Sequence, residues 1–413
     1  MNDTRAANSA PETLAGILLR PSADGSVVQH RGRVHLAGGR IVAIDDSDDV
    51  PDIVLLPGLV DLHIHWPQGH VRGAFSGQLL PWLRESIWPA EAAFVDADHA
   101  KHHGEAFLAQ LFASGTCSAL LFGPPFLDAT VGLLARCPDA DVLDGPALME
   151  VNAPDDMVTP VADVLDAIDA LPEALRRRVV VSPRFAPNVT ANGLLRCART
   201  ARESGLFVQS HISENRDEVA WVGQLFPEAR DYLDVYDRAG LLGPRTILAH
   251  GVHLTDRELA RCAASGTVIA HCPSSNEALS SGRMPLERYR EHGVDWVLAT
   301  DVGAGPLISQ LDTIRVFLAV HEAAGIGVSA CEGLARASVV PGAFLASTNA
   351  DLLGLGSLEV GAPAHVVAID DAATVNAAQN SGTAEATLRA LVGGPVEGLE
   401  SLPAAVYRWG RRV

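Results

Sequence analysis

From residue 55 to residue 303 the chain alternates between two textures. Eight short apolar runs stand out: LLPGLVDLHIH, GTCSALLFG, DVLDGPALME, RVVVSPRF, LFVQSHISE, RTILAHGVH, TVIAHCPSSN and DWVLATDVG. Each has the length and composition of a strand. Between them lie stretches such as DVLDAIDALPEALRRR, NGLLRCARTARESG and TDRELARCAASG, whose leucines and alanines recur at intervals of three and four, the period of a helix with one buried face. Strand then helix, eight times over, predicts an α/β protein built as a (β/α)8 barrel. A doubly wound open sheet shares the alternation, and the placement of polar residues decides between them. His63, His65, Arg184, His211, Glu214, His250 and Asp301 all fall at or just past the C-terminal ends of their runs, the rim on which barrel enzymes assemble sites.

The two ends read differently. GILLR, SVVQHRGRVHLAGGRIVAID and DIVLL near the start, and GSLEVGAPAHVVAID and AVYRWGRRV near the end, are β-prone pieces separated by Gly, Asp and Pro. They predict a small composite β-sandwich domain made of residues 1–56 and 355–413, with the barrel on 57–354.

At 413 residues the chain has room for one or two domains and a large core. Its formal net charge of -19 repels nucleic acid and anionic membranes, so neither is expected as a partner. Cys117, Cys137, Cys197, Cys262, Cys272 and Cys331 are scattered without a C-x-x-C pair, as in a reduced cytoplasmic protein. The opening stretch MNDTRAANSAPETLAG lacks the apolar segment of a signal peptide. No run approaches the roughly 18 apolar residues of a spanning helix. No G-x-G-x-x-G or Walker A pattern follows a strand, which argues against a dinucleotide or nucleoside triphosphate ligand.

Residues two apart on a strand point to one face, so His63 and His65 project together into the barrel mouth. Alone, an H-x-H pair is equally a hydrogen-bonded pair in a polar core. With His211, His250 and Asp301 at other strand ends, four imidazoles and a carboxylate can converge on one ion. Nitrogen and oxygen donors suit Zn²⁺, with iron also possible, and the lack of cysteine points to an open catalytic site. Glu214, three residues past His211, is placed to exchange protons as a general acid and base, or is simply a solvated loop residue. Arg184 could hold a carbonyl or anionic oxygen, or pair with a carboxylate. Gln68 offers a donor and an acceptor to the edge of a heterocycle, and Phe185 a flat face for a ring. His99, His102 and His103 read as solvated, His271 as support for the pocket, and Cys272 as a packed thiol. The segment from Gly69 to Glu91 is long enough for a lid.

PGLVDLHIHWPQ, VQSHISENRDEVAWV, LAHGVHL, HCPSSN and ATDVGAG together resemble the amidohydrolase superfamily, over roughly residues 40 to 320. QLLPWLRESIWPAE, SPRFAP and YLDVYDRAGLL are similar to the branch of it that deaminates guanine. The resemblance implies a composite β domain, one zinc per subunit held by His63, His65, His211 and Asp301, and a cytoplasmic homodimer acting in purine catabolism. It makes Glu214, Asp301 and His250 the catalytic residues, with His250 beside the metal or on it, and assigns the purine to Gln68, Arg184 and Phe185. The implied reaction is hydrolysis of guanine to xanthine and ammonia. Glu214 carries protons to the ring and to the leaving amine, Asp301 accepts a proton from water, and Arg184 holds the ring oxygen.

Three stretches depart from the pattern. Glu277 stands where an aliphatic residue is usual and puts a carboxylate near the pocket rim. ASVVPGAFL replaces a Gly-Gly-containing stretch, and His365 replaces an aspartate. The alternatives are therefore deamination of a related ring, such as a pterin or 8-oxoguanine, and hydrolysis of a cyclic amide or a halogenated heterocycle. Cyclic-amide hydrolases often bridge two metals with a carboxylated lysine on the fourth strand. Here that strand reads VVVSPRF, which favours one metal.

Overall fold

The structure, a computed structural model, describes residues 11–74, 78–394 and 398–413. Residues 1–10 of the N-terminal stretch, and residues 75–77 of the segment considered as a lid, lie outside the described residues. Four strands open the chain: β1 (Glu12–Pro21), β2 (Val27–Ala37), β3 (Arg40–Asp46) and β4 (Val54–Pro57). Eight follow: β5 (Leu59–His65), β6 (Thr116–Gly123), β7 (Val142–Leu148), β8 (Ser182–Pro183), β9 (Val208–Ile212), β10 (Thr246–His250), β11 (Val268–His271) and β12 (Trp296–Leu298). The last three are β13 (Val366–Ile369), β14 (Ala405–Arg408) and β15 (Arg411–Arg412).

The chain divides into two compact units. The first comprises Met1–Asp61, Leu108–Ala119 and Leu307–Val413. Both ends of the chain supply its sheet, whose strand order is β15-β14-β13-β4-β1-β2-β3. Burial alternates along β2, with Val34 and Leu36 inside and His35 between them less so, as expected of a sheet with one face covered. Leu18, Val34, Leu36, Ile41, Leu55 and Val366 form the core on that face.

The second unit comprises Leu62–Phe107 and Leu120–Pro306 and carries the barrel rim. The barrel strands, of which β5 and β6 start in residues of the first unit, appear as two four-stranded sheets, β5-β6-β7-β8 and β9-β10-β11-β12. Hydrogen bonds join them at both seams. Val181 pairs with Val208 between the β8 and β9 regions. At the other seam Asp301 N donates to His63 O at 3.0 Å and His65 N to Val302 O at 2.7 Å. The eight strands therefore close on themselves. Residues of β5, β6, β7, β10, β11 and β12 are buried throughout, which is why these runs are continuously apolar. β7 and β8 approach so closely at Gly145 that a Cβ there would lie 2.0 Å from Ser182 Oγ.

The helices between the strands begin and end on local signals. Thr190 caps the helix Ala191–Ser204, which stops at Gly205 with φ of 67°. The helix Asp256–Ser265 starts with a reciprocal Thr255 and Glu258 capping box and stops at Gly266. The run DVLDAIDALPEALRRR is not one helix. It breaks into Val161–Asp169 and Glu173–Arg176 around Pro172, which cannot continue a helix. Among the described residues no helix is long and apolar enough to cross a membrane.

Candidate active site

The C-terminal ends of β5, β9 and β10, and the loop after β12, bring their polar residues to one point. His65 Nε2 lies 3.1 Å from His211 Nε2 and 3.6 Å from Asp301 Oδ1. His63 Nε2 lies 3.3 Å from Asp301 Oδ1, and His250 Nε2 lies 3.9 Å from Asp301 Oδ2. One ligand atom from each of His63, His65, His211 and Asp301 falls within 4.8 Å of the others. Backbone geometry aims two of these groups: His250 and Asp301 have φ of 75° and 50°, and Ser213, beside Glu214, has 47°. Left-handed backbone at a residue other than glycine costs about 1–2 kcal/mol. Its concentration at three strand ends marks a place where side-chain direction outweighs local stability.

The donor set fits a divalent metal. Two nitrogens bonded to Zn²⁺ at about 2.0–2.1 Å and at a tetrahedral angle lie about 3.3 Å apart, close to the 3.1 Å between His65 and His211. Burial, then the neighbouring His63, holds both imidazoles well below their usual range, so their lone pairs are free at neutral pH. His211 Nδ1 donates to the Arg184 carbonyl at 2.5 Å, which fixes the ring and leaves Nε2 as the acceptor facing the site. Burial alone would raise the Asp301 carboxyl. The hydrogen bond from His63 and the charges of His250, His63 and His211 outweigh burial and hold it at about 2.

Glu214 stands beside this nest. Its Oε2 is 3.5 Å from His250 Nε2, and its Oε1 accepts a hydrogen bond of 3.3 Å from Ser281 Oγ. Burial, then the charge of Asp301, pushes its carboxyl up to about 8. A solvated loop position is thereby excluded: Glu214 is 3% exposed. The Glu214 and Asn215 backbone N–H groups both donate to Glu218 Oε2, part of the capping box of the helix Arg216–Leu225. Asn276 Oδ1 lies 3.1 Å from His250 Nδ1, and accepting from Nδ1–H leaves Nε2 directed at Glu214 and Asp301.

Arg184 and Gln68 meet on a residue that the sequence reading did not single out. Glu91, with no exposed surface, accepts from Arg184 Nη1 at 2.5 Å through Oε2 and from Gln68 Nε2 at 2.7 Å through Oε1. Gln68 Oε1 in turn accepts from Gly303 N at 3.2 Å, which sets the amide's orientation. Phe185 is buried, with its ring 5.9 Å from that of Trp221.

His65, Gln68, Arg184, His211, Glu214, His250 and Asp301 line one cavity, whose apolar walls are Leu79, Trp82, Leu83, Phe185, Leu279 and Ala304. Leu79, Trp82 and Leu83 belong to the segment considered as a lid, and they pack with Met149, Met157 and Leu279. Glu277 is exposed and is not among the lining residues, so it contributes no carboxylate to the cavity. His271 is buried, its ring 6.2 Å from Trp296. Cys272 is a buried thiol whose sulfur lies within 4.8 Å of ligand atoms of both His250 and Asp301. Lys101, the only lysine in the chain, is exposed on the helix Ala97–Ala113, so no lysine is placed to bridge a metal pair.

Residues 54–396 match the profile of the amidohydrolase family. The chain belongs to that family. The guanine deaminase of Escherichia coli (strain K12) is 33% identical over 344 residues, covering 80% of this chain and 78% of the relative. A probable guanine deaminase of Deinococcus radiodurans is 37% identical over 298 residues, covering 70% and 68%. The crystal structure of guanine deaminase from Bradyrhizobium japonicum superimposes with a TM-score of 0.88 at 25% identity, covering 98% of this chain and 99% of that one.

Proposed function

We infer that this amidohydrolase hydrolyses guanine to xanthine and ammonia. The observation that carries the reading is the convergence of a His63, His65, His211 and Asp301 nest, a buried protonated carboxyl at Glu214 and the Glu91-anchored pair of Arg184 and Gln68 around one cavity with apolar walls. Relatives described as guanine deaminases over most of their length support the choice of substrate.

His63, His65, His211 and Asp301 would hold the ion, which the nitrogen and oxygen donors suit to zinc, with iron as the other candidate. A divalent metal held there brings the pKa of water to about 7 and so supplies the hydrolytic nucleophile at neutral pH. Water adds to C2, the ring carbon that bears the amino group. Glu214 gives its proton to the adjacent ring nitrogen, while Asp301, ionised at neutral pH, takes a proton from the water. Glu214, now ionised, takes the proton of the added hydroxyl and delivers it to the amino group. The carbon–nitrogen bond breaks, ammonia leaves and the C2 carbonyl forms, and the proton held by Asp301 returns to Glu214 to restore both groups. His250, steadied by Asn276, faces both carboxyl groups and contacts the water or the substrate. Arg184 holds the ring oxygen, Gln68 the ring edge, and Phe185 a face of the purine. A purine lacking that oxygen leaves the Arg184 N–H groups that Glu91 does not take without an acceptor, which disfavours it.

The reading extends to a cytoplasmic homodimer serving purine catabolism, and to a composite β-sandwich of residues 1–56 and 355–413 beside a barrel of 57–354. Ammonia release by zinc-loaded enzyme from guanine, a pterin, 8-oxoguanine and adenine tests the substrate. Guanine should turn over fastest and adenine not at all. If guanine is inert while the pterin or 8-oxoguanine reacts, the pocket reads another ring. If folded, metal-loaded enzyme releases ammonia from none of them, deamination is lost as a reading.

A further inference from the structure

A second group of imidazoles lies outside the cavity. His99 and His103 sit one turn apart on the helix Ala97–Ala113, and His70 reaches them from the turn Trp66–Val71. The ring centres are 4.2 Å apart for His99 and His103, 4.5 Å for His70 and His103, and 5.8 Å for His70 and His99, packed around Phe94. Metal–nitrogen bonds of about 2.0–2.1 Å place ring centres about 3 Å from an ion, hence about 5 Å from one another at a tetrahedral angle. The nest at the barrel mouth gives an internal yardstick, with centres of His63, His65 and His211 at 5.0, 4.7 and 5.1 Å.

We propose that His70, His99 and His103 form a second, surface binding site for a borderline divalent ion such as Zn²⁺, Cu²⁺ or Ni²⁺. The Pro67 carbonyl hydrogen-bonds the His70 ring, the outer partner that a ligating imidazole characteristically has on its other nitrogen. His99 Nε2 is withdrawn from solvent and has no hydrogen-bond partner. Burial and the adjacent imidazoles lower His70 and His103, so both are neutral ligands at neutral pH. Lys101 is two residues from each helical histidine, on the opposite side of the helix. Binding an ion requires rotation of His99 and His103 about χ2, which is broad for imidazole, to bring their nitrogens to the one that His70 keeps free of Pro67, with water completing the shell. An ion there ties the turn that carries Gln68 to the helix Ala97–Ala113. The site is independent of the substrate assigned to the cavity.

The test uses the untagged, metal-free full chain equilibrated with micromolar free zinc, with bound metal counted by mass spectrometry. Two ions per chain are expected. His99→Ala/His103→Ala, and separately the exposed H70A, should fall to one ion with the melting temperature of the metal-free protein unchanged. With Cu²⁺ as second ion, electron paramagnetic resonance should show hyperfine coupling to imidazole nitrogens that both variants lose. A single ion in the unmodified chain, or two ions retained in the variants, would overturn the proposal.

Discussion

Glu214 and Glu91 are both buried carboxyls, and their neighbours give them opposite tasks. Glu214 faces Asp301 and His250 and is held protonated, whereas Glu91 is paired with a guanidinium and an amide. Changing Glu214 to Gln keeps the shape and removes the exchangeable proton. We expect zinc content to be unchanged and kcat to fall by roughly 10²–10⁴-fold, the usual contribution of a general acid or base. Glu91→Gln removes the charge and leaves one acceptor oxygen for two donors, so the hydrogen bond to Arg184 or to Gln68 is lost. The expected result is a rise in KM for guanine with zinc content unchanged, and E91A should additionally destabilise the fold, because breaking a buried ion pair costs about 3–5 kcal/mol. Steady-state kinetics with denaturant unfolding separates the two effects. The histidines, Asp301 and Glu214 were legible in the sequence because each ends an apolar run. Glu91 was not, since its partners lie 23 and 93 residues away and its own neighbourhood, WPAEA, has the look of an ordinary helix.

Among the elements, the loop after β9 shows how local signals place a reactive group. Asn215 caps the helix Arg216–Leu225, Glu218 closes the capping box, and the Tyr232 hydroxyl donates to Glu218 Oε1 at 2.8 Å. Glu214 is thereby held at the start of a fixed helix. Asn215→Ala should cost about 1 kcal/mol of stability and lower kcat more than KM rises, as differential scanning calorimetry and kinetics on the same preparation would show. The barrel strands could be read from apolar runs because nearly every residue in them is buried. The chain's late β texture was less informative. Within GSLEVGAPAHVVAID only Val366–Ile369 is a strand, the rest turning through glycines 356 and 361 at positive φ. The helices Ala372–Ser381 and Ala384–Val392, capped by Asp371 and Thr383, were not foreseen there, because the first is weakly patterned and the two are short.

For the whole molecule, stability carries the imprint of a buried acid. Asp144 on β7 accepts from the Trp66 indole at 3.1 Å, and burial pushes its carboxyl from the usual 3.8 up to about 7. Between those values the folded state keeps a proton that the unfolded chain has released. Stability attributable to this group therefore falls as pH rises through the window and stays lower above it. D144N, which retains an acceptor for Trp66, should gain stability relative to the parent at a pH of about 8 and lose that advantage near the lower end of the window. Urea unfolding at both pH values checks the sign. The central claim concerns one ion and one ring. Metal-free enzyme titrated with zinc, with xanthine formation from guanine followed throughout, should be inactive at the start and reach full activity at one equivalent per chain, further zinc adding none. Full turnover without metal, or one tightly bound equivalent without any xanthine, would contradict the account.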